Sequence, residues 1–181
     1  DDDSAKGSAS DTTGSLTANG GGQGAGIGGS SNKDGQVTIT GGKITATGGN
    51  GAAGIGGGAY GNGTVTVTDG DITAKATGRY GAGIGGGYGA KPKPSGTLIG
   101  GNGTVTISGG TIDCNTYDDA INSSSHMYIK GGTITVYSSG NDGLDSNGNL
   151  YFSGGTTVAY GTRSPECGID ANEEEGYTVF F

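Results

Sequence analysis

The side chains with the most chemical potential sit late in the chain. Asp118, Asp119, Asn122, Asp142, Asp145, Asn147 and Asp170 fall where one pattern returns at intervals of 23 and 25 residues. Asp119 and Asp142 occupy one slot of that pattern, with Cys167 breaking the row; three positions later stand Asn122, Asp145 and Asp170. Carboxylates stacked this way repel unless a cation joins them. Their oxygens, and those of asparagine amides, are hard ligands of the kind Ca²⁺ collects in flexible geometry. The competing reading is that Asp, Asn and Gly simply make turns. The segment NDGLDSNGN, residues 141–149, loosely has the form of a calcium loop. It lacks the closing bidentate Glu of an EF-hand, and no helical pattern flanks it.

A second set is aromatic. One outward row of alternating strands reads Thr38, Thr66, Thr106, Tyr128, Tyr151 and Thr178, and its neighbour reads Thr47, Lys75, Asn115, Tyr137 and Tyr160. Both rows change to Tyr after residue 115. Exposed Tyr at strand spacing offers flat rings to sugars, although Tyr also favours strands for packing reasons alone. Signs of catalysis are thin. Lys130 and Arg163 are the bases available to a lyase in the acidic half, and Lys130 precedes a GG turn, where a solvated role is the default. The clustered Asp residues imitate the carboxylates of an inverting hydrolase. The single His126 has no obvious partner and reads as a loop residue. Serine-nucleophile, phosphate-loop and zinc spacings are missing from the sequence.

The elements that position these residues come from an internal repeat. GAGIGG around Ile27 returns as AAGIGGG around Ile55 and GAGIGGG around Ile84, and the slot continues at Ile121, Leu144 and Ile169. The spacings are 28, 29, 37, 23 and 25 residues, the longest holding the insertion KPKPSGTLIG at 91–100. Each anchor precedes an alternating strand (37–39, 65–67, 105–107, 127–129, 150–152 and 177–179), and after a GG or DG turn a second one follows (44–46, 72–74, 112–114, 134–136 and 157–159). Such periods with short strands and glycine turns mark a solenoid. The expected fold is all-β: a right-handed parallel β-helix of about six coils, each of three short strands. Residues 1–22 read as a flexible lead or a degenerate first coil. Residues 23–181 read as one β-helix domain, with glycine-rich coils over 23–117, a loop at 91–100 and acidic coils over 118–181.

Composition agrees. Of 181 residues 45 are Gly, aromatics are 7% and Trp is missing. Collagen is excluded because Gly does not recur every third residue. No stretch approaches about 18 apolar residues, so a transmembrane helix is excluded. Residues 1–100 carry seven acids and seven bases, whereas residues 101–181 carry ten acids and two bases, which is the whole net charge of −8. That half repels nucleic acid and anionic membrane. The chain starts at Asp1 without an apolar leader, as a processed protein or a fragment would.

Residues 101–180 resemble a known family. DAINS at 119–123 and DGLDS at 142–146 match the recurrent D-[AG]-[IL]-[DN]-[SA] corner of the carbohydrate-binding β-helix domain of bacterial surface and secreted proteins, and CGIDA at 167–171 departs at its first position. Residues 23–100 resemble the GAGIGGG arrays of large bacterial cell-surface proteins. The resemblance implies a pectate-lyase-like β-helix that binds calcium and polysaccharide, notably acidic plant-wall polymers, outside the cell. Calcium would then bridge an acidic protein to an anionic glycan. The alternatives are a stalk or head-to-tail filament subunit, for which the apolar end at Phe180 and Phe181 speaks, and less strongly an ice-binding Thr array (Thr38/Thr40, Thr64/Thr66/Thr68, Thr104/Thr106) or an enzyme. Cys114 and Cys167 fall three coils apart, about 14 Å, beyond disulfide reach. Asn62, Asn102 and Asn122 begin glycosylation sequons but read as turn residues.

Overall fold

Alternation of Val, Ile and Ala with Thr should put one face of each strand inward, and the computed structural model, which describes residues 14–89 and 103–181, shows this. The insertion at 91–100, Asn102 and residues 1–13 lie outside the described residues. Strands β1 (Ser15–Asn19), β3 (Gly35–Gly48), β5 (Gly63–Ala76), β7 (Val105–Thr116), β9 (Met127–Ser138), β11 (Leu150–Phe152) and β14 (Val179–Phe180) pair in that order in one sheet, with β12 (Thr156–Tyr160) also on β9. A second sheet carries the anchors: β2 (Ile27–Gly28), β4 (Ile55–Gly56), β6 (Ile84–Gly85), β8 (Ile121–Ser123), β10 (Leu144–Ser146) and β13 (Ile169–Asp170), again in sequence order. Neighbouring strands are parallel throughout, as in Ile55 against Ile84 and Ile84 against Ile121. Two parallel sheets stacked in chain order make a parallel β-helix.

The two sheet-forming stretches expected within each coil run on as one long bent strand in β3, β5, β7 and β9. The bend falls at the GG or DG turn, where the register slips between Ile39 and Lys43 and between Ile107 and Thr111. Inside, Ile55, Ile84, Ile121 and Leu144 are fully buried and stack in one column, facing Ile72, Ile112, Ile134 and the smaller Ala46, Ala74, Cys114 and Val136. Burying each large aliphatic side chain is worth about 1.5–3 kcal/mol. Both cysteines are free thiols, Cys114 in this core and Cys167 exposed.

One register differs from the sequence expectation. Thr178 does not continue the Tyr128–Tyr151 row: Val179 pairs with Leu150, and Phe180 with Tyr151. A 3-10 turn at Glu173–Glu175 lengthens the last corner and delays the strand by two residues.

Glycine is required where coils meet at the anchor sheet. Gly56 and Gly85 have φ of +132° and +120°, and a Cβ on either would run into the carbonyl oxygen of its neighbour in the next coil, Gly85 or Asn122. Gly21, by contrast, has open space around it and an ordinary φ. Gly56→Ala should therefore lose about 3 kcal/mol of stability, from overpacking plus an unfavourable φ, while Gly21→Ala should change little. Denaturant melts of the two variants check this; equal stability would contradict the packing described.

Candidate functional site

The position just after each anchor is Gly28, Gly56 and Gly85 in the first coils and Asn122, Asp145 and Asp170 in the later ones. The early coils have no room there for a side chain. From β8 onward the backbone carries one, and parallel pairing lines the three polar groups up at strand spacing. Two residues before each anchor the same change turns Ala53 and Ala82 into Asp119 and Asp142. Both rows lie along β8, β10 and β13.

Hydrogen bonds divide these residues. Asp119 Oδ1 accepts the backbone N–H of Asp142 (3.2 Å), and Asp142 Oδ1 accepts that of Cys167 (2.5 Å), so each corner carboxylate ties down the next coil. The Asn122 amide donates to Asp119 Oδ2 (3.0 Å) and to Asp145 Oδ2 (2.5 Å), bridging two carboxylates that would otherwise repel. One coil further on no amide fills this role. Asp142, Asp145 and Asp170 each offer a carboxylate oxygen, and the three oxygens lie within 4.8 Å of one another. Among the described residues no Lys or Arg pairs with them; the ion pair present is Lys43–Asp71, on the other sheet. Asp118 instead accepts from Gly81 N–H (3.0 Å) and the Asn141 amide (3.1 Å), and the Asn147 amide points at the Ser123 carbonyl (3.5 Å). Of the seven oxygen-bearing residues named from the sequence, Asp142, Asp145 and Asp170 thus converge, Asp119 and Asn122 adjoin them, and Asp118 and Asn147 are engaged elsewhere.

Protonation reflects this crowding. Burial, reinforced by Asp142 and Asp170, pushes the Asp145 carboxyl up to about 7. Burial, with Asp145 and Asp118 adding to it, holds Asp119 well above the usual carboxylate range. Asp142 is raised mainly by burial, against the pull of its bond from Cys167. Three convergent carboxylate oxygens with no cationic side chain paired to them fit a hard divalent cation that displaces the proton.

The tyrosines are arranged differently from a simple platform. Tyr128 and Tyr151 stack with centroids 5.1 Å apart and planes 6° from parallel, and Phe180 continues the stack at 5.0 Å and 9°. Their faces therefore meet each other, and the Lys130 ammonium lies 5.4 Å from the Tyr128 ring centre. Tyr137 and Tyr160 are tilted by 53° at 6.5 Å and are both about half exposed. His126 is better placed than its sequence context suggests: Nδ1 accepts the Asn149 N–H (2.8 Å), and its ring meets Tyr128, Tyr151 and Tyr177 edge-on at 6.2–6.4 Å. Asn62 is buried and its amide oxygen accepts from Ser124 Oγ (2.6 Å), and Asn122 is engaged as above, so neither is presented for glycan attachment.

A protein-family model described as carbohydrate-binding domain-containing protein matches residues 4–143. The chain belongs to this family. Comparison with curated proteins gives no match, and comparison with solved structures gives none. The carbohydrate-binding domain thus covers the glycine-walled coils and the start of the acidic ones. The match ends just before Asp145, Tyr151, Tyr160 and Asp170.

A pH prediction follows from the crowding. In the unfolded chain Asp145 ionises near pH 4; folded, it holds its proton to about 7. The native state therefore binds more protons across that window, and stability in EDTA should fall as pH rises from about 4 to about 7, then level off. Asp145→Asn should flatten the slope, since it removes one raised group and relieves Asp119. Thermal melts across that range test this; stability rising with pH would contradict it.

Proposed function

We propose that this domain holds acidic polysaccharide outside the cell through calcium seated on Asp142, Asp145 and Asp170, and acts as a binding module. The observation that carries this reading is the convergence of three carboxylates on successive coils without a compensating cationic side chain. Family membership supplies the carbohydrate. The net charge of −8 supplies the need for a bridge, because an anionic glycan meets repulsion from the acidic half unless a divalent ion lies between. Asp119 and Asn122 complete the surroundings. Asn122 positions two carboxylates through its amide, and an Asn122→Asp exchange would extend the anionic row by one coil. Tyr137 and Tyr160, half exposed on the neighbouring sheet, are the members of the tyrosine rows available for sugar contact.

Calorimetric titration with calcium, followed by polygalacturonate in the presence and absence of calcium, tests the reading. Calcium should bind with heat and raise the melting temperature, and polygalacturonate should bind only to the calcium-loaded protein. Asp170→Asn should weaken calcium about tenfold or more, because carboxylate count sets affinity in such sites. Wild-type protein that gives neither heat nor a melting shift with calcium would overturn the reading.

A further inference from the structure

We propose that Tyr60, Tyr80 and Tyr88 form a second carbohydrate-contact surface, on the glycine-rich coils, that needs no metal. The proposal rests on the carbohydrate-binding character of the family but not on the calcium reading.

Two observations converge on these rings. They are exposed, at 52%, 49% and 44%. They also meet one another without covering one another: Tyr60 and Tyr88 lie 5.5 Å apart at 64°, and Tyr80 and Tyr88 lie 4.6 Å apart at 43°. In the Tyr128–Tyr151–Phe180 stack, planes within 9° of parallel consume the ring faces. In this cluster the rings are tilted and each stays about half exposed, and an exposed aromatic ring is what a pyranose C–H surface packs against.

The backbone holds the cluster in place at some cost. Tyr60 has φ of +66°, a left-handed conformation that a bulky residue rarely adopts. Its N–H donates to the Tyr88 carbonyl, and the Tyr88 N–H donates to the Gly51 carbonyl, both at 2.7 Å. Glycine fills most such positions in this chain. A tyrosine kept at one of them, with its ring exposed, fits a role in contact better than one in packing. Arg79, adjacent to Tyr80 in the chain, places its guanidinium 5.2 Å from the centre of the exposed Tyr117 ring. The three converging aspartates lie on later coils, and the carboxylate next to Tyr80, that of Asp118, is engaged by the Gly81 N–H and the Asn141 amide. The family match contains Tyr60, Tyr80, Tyr88, Arg79 and Tyr117 and ends before the acidic cluster is complete. A glycan chain is therefore the occupant, held by ring faces with Arg79 available to a uronate.

The test is retention of the full chain on cellulose and on polygalacturonate, each with calcium and with EDTA. Wild type should keep an EDTA-resistant component on at least one of the two. Tyr80→Ala/Tyr88→Ala should reduce that component about tenfold, as the loss of two stacking rings implies, with an unchanged melting temperature. Tyr60→Gly, which suits the backbone and deletes the ring, should weaken it as well. Tyr80→Phe/Tyr88→Phe should retain it. Unchanged EDTA-resistant retention in Tyr80→Ala/Tyr88→Ala overturns the proposal while leaving the family's carbohydrate binding in place, as does retention of wild type that EDTA abolishes. A wild-type chain retained by neither polymer under any condition overturns this surface and the acidic-glycan reading together. Self-association that disappears in Tyr80→Ala/Tyr88→Ala, with retention unchanged, assigns the rings to a second copy instead.

Discussion

Every residue in a parallel β-helix must tolerate its counterpart about 4.8 Å above and below it. That constraint sorts the side chains. Aliphatic groups welcome a copy of themselves, so Ile55, Ile84, Ile121 and Leu144 form an unbroken buried column. Glycine meets it by absence: at Gly56 and Gly85 the next coil's carbonyl occupies the space of a side chain. Stacked aromatics meet it with their faces, as Tyr128, Tyr151 and Phe180 do. Carboxylates alone cannot meet it without help. Where Asn122 intervenes, an amide supplies the help; where Asp142, Asp145 and Asp170 meet, each carboxylate accepts one N–H but no cationic side chain among the described residues joins them, and burial drives Asp145 toward neutrality. On the proposed reading a cation would compete with the proton for the same oxygens, which would link occupancy of the site to the stability of the coils through pH.

The same constraint explains which parts of this architecture were readable from sequence. Positions inside strands are periodic, and in-register pairing turns that periodicity into contact. The anchor column, the outward rows as far as Tyr151 and Tyr160, and the pairing of Asn122 with Asp145 and of Asp145 with Asp170 were legible for this reason. Corners obey no such rule. From anchor to following strand there are ten residues at Ile27–Val37 and six at Ile121–Met127 and Leu144–Leu150, and the last coil returns to ten at Ile169–Val179. A sequence strand at 177–179 assumed an intermediate length, and the 3-10 turn at Glu173–Glu175 put Phe180 where Thr178 was expected.

Ring orientation was also beyond the sequence. Outward Tyr at strand spacing implies a row, but not whether the planes lie flat on the surface or on edge against each other. In the first row they stack, which stabilises the coils and removes the faces from use. His126 gained its partners in the same way. Its row neighbour one coil on is Asn149, whose backbone N–H reaches Nδ1 and whose amide donates to the Tyr151 hydroxyl. The first of these contacts joins residues 23 apart in the chain and is invisible until the register is known.

Strand rows and corners therefore suit different chemistry. A row repeats one side chain at fixed spacing, which is what a metal bridging successive coils requires, since its ligands must converge within a few ångströms. The price of the row is that large flat groups stack on themselves. Corners break the repeat and release aromatic rings from that fate: Tyr60, Tyr80 and Tyr88 come from unequal turns and so meet at angles that leave faces free. In this chain the carboxylates converge on the ladder of the acidic coils, and the tilted, exposed rings gather at the corners of the glycine-rich ones.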